Sequence, residues 1–149
     1  MSEAPSPSTP GHNPAMVGVL LIAHAPLASA LKAVATHAFP DREDQVFALD
    51  VAPDAQAEDV IASARVLMAA SWPTNWLVLT DAFGATPCNA ALALRDAERQ
   101  VRLISGLNVP MLWRALCYGD EPLDAMVDLA AEGGHVGIKI ADLPIPAIP

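Results

Sequence analysis

The sequence contains few cysteines, aromatic residues and basic residues, and these shortages limit the classes of protein that fit it. Two cysteines in 149 residues are too few for a disulfide framework and fit a reducing compartment. Only 5% of the chain is aromatic while 53% is hydrophobic, so the core must consist mainly of aliphatic side chains. The 8 lysines and arginines stand against 17 aspartates and glutamates, giving a formal charge of -9. Such a surface repels nucleic acid and anionic lipid, and it favours a basic protein as partner.

Long apolar runs are also missing. No uninterrupted run reaches the roughly 18 residues that a membrane-spanning helix requires, so we expect no stable membrane insertion. Residues 1–15 are rich in Ser, Pro and Gly and lack a basic n-region, which predicts a disordered leader rather than a signal peptide. We therefore expect a cytoplasmic protein with one domain over residues 16–142 and a flexible tail over residues 143–149.

Four short apolar segments alternate with stretches of helical periodicity. Such continuous runs are typical of buried parallel strands, whereas apolar residues three and four apart indicate helices. The pattern predicts an α/β fold: a mainly parallel, doubly wound sheet of four strands with helices on both faces. A short C-terminal strand would follow. The strands are predicted over residues 17–22, 46–49, 76–80, 101–104 and 137–141.

Local signals mark the expected helix ends. Asp54 suits the N-cap of the second helix, and Thr86 suits the N-cap of the third. The pair Gly133 and Gly134 is expected to end the last helix. Four prolines suit first helical turns, namely Pro26, Pro87, Pro110 and Pro122.

His24 follows the first predicted strand and Asp81 follows the third. In doubly wound sheets, ligands bind beyond the carboxyl ends of the strands, where the winding reverses. His24 would lie near helix N-terminal amides, which attract a phosphoryl group, and the neutral form of an imidazole is a competent nucleophile. From position alone, a structural histidine bonded to a nearby carbonyl explains His24 equally well.

The loop from Asp81 to Pro87 is the second candidate motif. Gly84 permits close approach of the backbone, so amides in this loop would hold phosphate oxygens. Asp81 would bond one imidazole nitrogen of His24 and fix the tautomer of the ring. Taken alone, the loop is better explained as a strand-ending aspartate beside an ordinary helix cap. No Cys/His cluster has metal-ligand spacing, and we expect no metal or cofactor.

Three motifs follow one another along the sequence: Ile22-Ala-His24 with Leu27-Ala28, then Leu79-Thr-Asp-Ala-Phe-Gly-Ala-Thr-Pro-Cys-Asn-Ala-Ala91, then Ser105-Gly-Leu-Asn-Val-Pro-Met-Leu112. In this order they resemble the signatures of mannose-type IIA components of the sugar phosphotransferase system. The sequence departs from the family at three positions, where it carries Ala25 and Ala85 in place of the usual glycines and Thr86 in place of the commoner serine.

The resemblance implies a phosphocarrier, and therefore a phosphotransferase. His24 would accept a phosphoryl group from phosphorylated HPr and pass it to a IIB component for sugar uptake, while Asp81 orients His24. Family members are homodimers that exchange a C-terminal strand, here the antiparallel segment 137–141. The resemblance also suggests roles for loop residues: Gly84, Ala85 and Thr86 as phosphate-binding residues, and Phe83, Pro26 and Asn108 as contacts for the partner.

Two other functions fit the same residues. A stand-alone IIA protein would control a regulatory target through its phosphorylation state instead of feeding transport. A hydrolase would use Cys88 or His24 together with Asp81, and its activity would not need phosphorylated HPr.

Overall fold

The elements of the fold follow the predicted alternation of strands and helices. A computed structural model describes residues 16–96 and 99–142, so the predicted leader and tail lie outside the described residues. Within the described residues there are four strands, five α-helices and one 3-10 helix. Their bounds are β1 Val17–His24, α1 Leu27–Ala38, the 3-10 helix Pro40–Gln45, β2 Val46–Val51, α2 Ala57–Ala69, β3 Asn75–Thr80, α3 Thr86–Leu92, β4 Gln100–Ser105, α4 Val109–Cys117 and α5 Leu123–Val136.

The four strands form one parallel sheet in the order β2-β1-β3-β4. Successive residues of a strand point to opposite faces, and β1 follows this rule. Val19 and Leu21 pack with side chains from α1, α4 and α5. Leu20 and Ile22 pack with side chains from α2 and α3 on the other face. The predicted doubly wound sheet with helices on both faces is therefore confirmed, and its winding reverses between β1 and β3.

Two predicted helix caps are wrong. The N-cap of α2 is Gln56, because Asp54 lies in a turn closed by a 3.1 Å hydrogen bond from the Ala55 amide to the Ala52 carbonyl. The N-cap of α3 is Ala85, whose backbone is extended, so Thr86 is already the first helical residue. In both cases a suitable residue type lies one or two positions away from the place where the helix begins.

The glycine pair does not end the last helix, because α5 continues to Val136. These glycines lie where α5 packs closely against α4. A Cβ added to Gly133 would come within 2.5 Å of the Cβ of Arg114, and one added to Gly134 within 2.8 Å of Met111 Cε. The glycine pair therefore permits close packing of α5 against α4. In a sequence, glycines with this role look the same as glycines that end a helix.

The predicted C-terminal strand is not shown in the single chain. Residues 138–142 are assigned to no strand, and Gly137 caps α5 through a 3.0 Å hydrogen bond from its amide to the Gly133 carbonyl. Ile138 and Ile140 are 71% and 84% exposed. Over residues 16–96 and 99–142, no helix combines the length and the apolar character needed to cross a membrane.

Candidate active site

His24 and Asp81 meet at the carboxyl edge of the sheet. His24 is the last residue of β1, and Asp81 directly follows β3, the neighbouring strand. The pairing of Ile22 with Thr80 aligns the two strand ends. Nδ1 of His24 lies 2.7 Å from Oδ2 of Asp81, which is a short, direct contact. The two predicted catalytic side chains are thus together although they are 57 residues apart in the sequence.

Asp81 is bound by more than the imidazole. Its Oδ2 accepts the backbone N–H of His24 at 3.0 Å, and its Oδ1 accepts the N–H of Ala82 at 3.0 Å. Burial acts to raise the pKa of Asp81, but the hydrogen bonds from His24 and Ala82 and the charge of the imidazole outweigh it and lower that pKa. Asp81 is therefore an ionised carboxylate at neutral pH.

The ionised carboxylate determines the tautomer of the ring. A carboxylate without a proton can only accept hydrogen bonds, so Nδ1 of His24 must carry the hydrogen in their contact. In the neutral ring this leaves the lone pair on Nε2. The side chain of His24 is 49% exposed while that of Asp81 is only 15% exposed. A reactant in solution can therefore reach the imidazole while its carboxylate partner stays behind it.

The loop after Asp81 contains the three residues predicted to bind phosphate. Gly84 has a positive φ of 82°, a conformation that favours glycine, and its carbonyl accepts the side-chain amide of Asn89 at 3.1 Å. The Ala85 amide makes a long 3.4 Å bond to the Ala82 carbonyl. The amides of Gly84 and Thr86 have no acceptor in the described part of the chain. Two donors of the predicted phosphate-binding loop are therefore available to a ligand.

The three predicted partner contacts lie in different settings. Phe83 is 83% exposed beside Asp81, and Pro26 is exposed after a cis peptide bond with Ala25. Asn108 is half-buried and caps α4, because its Oδ1 accepts the Met111 amide at 2.9 Å. Its Nδ2 donates to the Gly134 carbonyl at 3.1 Å. Since the amide group of Asn108 is used inside the chain, its role in partner binding stays a prediction.

Sequence reasoning missed a second carboxylate at this edge of the sheet. Asp50 lies in β2, and its two oxygens accept the amide of Ser29 at 3.0 Å and the hydroxyl of Ser29 at 2.5 Å. The only sequence signal was an acidic residue just past the predicted second strand. Cys88, the alternative nucleophile, is fully buried in α3.

The family profile described as EIIA-man, PTS system fructose IIA component, matches residues 18–131. The mannose-specific EIIAB component of the phosphotransferase system from Escherichia coli K12 is 32% identical over 100 residues, covering 65% of this chain and 31% of that protein. The sorbose-specific EIIA component from Klebsiella pneumoniae is 30% identical over 96 residues, covering 64% of this chain and 70% of that protein. The chain thus spans about a third of the mannose-specific relative.

Solved structures show the same fold. The mannose/sorbose specific IIA subunit from Enterococcus faecalis aligns with a TM-score of 0.76 at 23% identity, covering 89% of this chain and 99% of that one. Component EIIA from Streptococcus agalactiae aligns with a TM-score of 0.74 at 24% identity, covering 84% and 97%. With the profile match over most of the described residues, these relatives lead to one conclusion. The chain belongs to the mannose-type IIA family of the sugar phosphotransferase system.

Proposed function

We propose that the chain is a phosphocarrier in which Nε2 of His24 accepts a phosphoryl group from phosphorylated HPr. The 2.7 Å contact between His24 Nδ1 and Asp81 Oδ2 carries this proposal. It leaves the nucleophilic nitrogen free, with the ring half exposed to an incoming donor. Membership of the family supports the general class of phosphotransferase component.

The proposed step is an in-line exchange between two histidines. Nε2 of His24 forms a bond to phosphorus while the bond from phosphorus to the HPr imidazole breaks, and the HPr nitrogen recovers the electron pair. His24 becomes positively charged, and the carboxylate of Asp81 stabilises that charge through Nδ1–H. The free amides of Gly84 and Thr86 stabilise the phosphoryl oxygens. Because a phosphohistidine is both reactant and product, the exchange is reversible.

The downstream acceptor is proposed to be a IIB component that serves sugar uptake. The printed name of the Escherichia coli relative, a mannose-specific EIIAB component, supports this acceptor. Transfer would repeat the same exchange in the opposite sense, with His24 as the leaving group. At both steps the chain would orient the reacting imidazole and stabilise the charge that develops during transfer, and it would need no metal or nucleotide.

The deciding experiment is a labelling reaction with phosphoenolpyruvate, enzyme I and HPr. We expect this protein to take up an acid-labile, base-stable phosphoryl group, as phosphohistidine does, and to return it to HPr when pyruvate is added in excess. A reaction without HPr is the control. If the protein stays unlabelled in the complete mixture, or is labelled equally without HPr, the proposal is wrong.

Phe83 is proposed as a docking contact for HPr. Phe83 is 83% exposed and lies two residues after Asp81, and aromatic side chains at the centre of an interface commonly contribute more than about 1 kcal/mol. We expect Phe83→Ala to raise the KM for phosphorylated HPr by about tenfold with little change in kcat. Val66→Ala is the matched control, because Val66 is 69% exposed in α2. An equal KM in both variants would show that Phe83 does not contribute to HPr binding.

We also propose that two copies of the chain associate through residues 137–141. The exposed Ile138 and Ile140 alternate as in a strand, and the described chain leaves one edge of β4 unpaired. The segment would add antiparallel to β4 of the second copy. Sedimentation equilibrium should give twice 15.6 kDa for the protein and a lower mass for Ile138→Asp/Ile140→Asp, with Lys139→Gln unchanged. A monomeric parent protein would refute the dimer.

A further inference from the structure

We propose that Asp50 is a positioning residue for the phosphorylated histidine, and that it acts by fixing the first turn of α1. The inference rests on the proposed phosphoryl transfer at His24. It concerns a carboxylate that does not touch the imidazole, lies on a different strand, and holds the helix that follows His24 in the chain.

The first observation is that α1 cannot cap itself. Its N-cap residue is Pro26, whose side chain offers no hydrogen-bond acceptor. The third residue of the helix, Ser29, instead donates its amide to Asp50 Oδ1 at 3.0 Å and its hydroxyl to Asp50 Oδ2 at 2.5 Å. A carboxylate at this position satisfies an unpaired amide and complements the positive end of the helix. Asp50 thus supplies, from β2, the cap that α1 lacks.

The second observation is that β2 holds the turn after His24 at both of its ends. The amide of Ala25 donates to the Val51 carbonyl at 2.8 Å, which continues the pairing of β1 with β2. Four residues later, Ser29 is bound by Asp50, the neighbour of Val51. Residues 25–29 are therefore fastened to two consecutive residues of one strand. On the other side, Asp81 accepts the amide of His24 itself.

These anchors determine where a phosphoryl group can bind. Asp50 already occupies the amide and the hydroxyl of Ser29, and it places a negative charge at the start of α1. The charge of Asp50 disfavours a phosphoryl group at this helix end and so favours its placement near the loop of Gly84 and Thr86. Asp50 thus fixes the position of the turn that follows His24, and its charge favours binding of the phosphoryl group at that loop.

Loss of this anchor should change the rate of transfer rather than the affinity for the donor. The reacting nitrogen must meet phosphorus in line, and a displacement of about 1 Å can cost about a hundredfold in rate. We expect Asp50→Ala to lower kcat for transfer from phosphorylated HPr by about ten- to a hundredfold, with KM within about twofold. Ser29→Ala should have a smaller effect in the same direction, because it removes only the hydroxyl bond and keeps the amide bond to Asp50. It should add little to Asp50→Ala, which already removes both bonds.

The matched control is Asp120→Ala. Asp120 is an exposed carboxylate that pairs with Arg42 at 2.9 Å, and its removal changes the net charge by the same unit. Ser29→Thr keeps the hydroxyl and should keep the kcat of the parent protein. The proposal is overturned if Asp50→Ala behaves like Asp120→Ala, if its KM rises while its kcat holds, or if Ser29→Thr is as slow as Ser29→Ala.

A second readout needs no phosphorylation. In the parent protein, ¹⁵N spectra of the neutral His24 ring should show hydrogen on Nδ1; in Asp50→Ala a second tautomer or exchange broadening should appear, while Asp120→Ala stays unchanged. If the parent protein is never phosphorylated, the proposed function fails while the spectra still test the anchor. If it is phosphorylated and the spectra and kcat of Asp50→Ala match Asp120→Ala, only the role of Asp50 fails.

Discussion

His24→Ala is expected to lose the acid-labile phosphoryl group completely in the reaction with phosphoenolpyruvate, enzyme I and HPr. The reason is the placement of the ring: among the described histidines, His24 alone is bonded to a carboxylate, at 2.7 Å. Removing the imidazole removes the attacking nitrogen, so no labelling should remain. The measurement is transfer of radiolabel, followed by the acid and base stability of the product and by its mass.

His37→Ala is the control for this experiment. His37 is exposed in the last turn of α1, so its replacement removes an imidazole without touching the carboxyl edge of the sheet. We expect full labelling of this variant. A label that persists in His24→Ala, or one that disappears in His37→Ala, would show that the phosphoryl group is carried elsewhere.

Asp81→Asn should slow the transfer by about 10²- to 10⁴-fold while leaving the shape of the site intact. The carboxylate can only accept a hydrogen bond, whereas an amide can also donate one and so permits the tautomer with hydrogen on Nε2. That tautomer has no lone pair where the phosphorus must arrive. The neutral amide also fails to stabilise the positive ring that forms during transfer. Rapid-quench measurement of a single turnover with phosphorylated HPr gives the rate directly.

Asp54→Asn is the charge-matched control for Asp81→Asn, because Asp54 is exposed in the turn before α2. We expect its single-turnover rate to equal that of the parent protein. If Asp81→Asn also keeps the parent rate, the carboxylate has no part in orienting the ring, and the hydrogen bond seen at 2.7 Å is only structural.

Much of the fold could be predicted because the strands are continuous apolar runs. Residues 17–23 are all buried between helices on two faces, so no polar residue interrupts the run until His24. The reversal of winding after β2 brings β3 beside β1. Residues that end these two strands must then lie at one edge, which is why His24 and Asp81 could be placed together from the sequence.

Contacts that depend on register could not be predicted. The bond from Ser29 to Asp50 requires β2 to pair with β1 so that Ala23 faces Asp50, and no local pattern encodes that alignment. The prediction that Gly133 and Gly134 end α5 is wrong for a different reason. From the sequence alone, a glycine that ends a helix cannot be distinguished from a glycine that lets another helix pack closely. The position of Arg114 beside Gly133 shows that close packing is the reason here.

The strand order β2-β1-β3-β4 has a consequence for synthesis on the ribosome. Of the described strands, β1 is translated first and is an inner strand, so a sheet of β1 and β2 alone leaves the backbone N–H and C=O groups on one edge of β1 unpaired until β3 has been made. Non-local strand pairing of this kind forms slowly, and the partly formed sheet exposes aggregation-prone apolar surface until it is complete. His24 is translated 57 residues before Asp81, so a nascent chain that stops short of that aspartate carries the proposed acceptor ring without the carboxylate that binds its Nδ1.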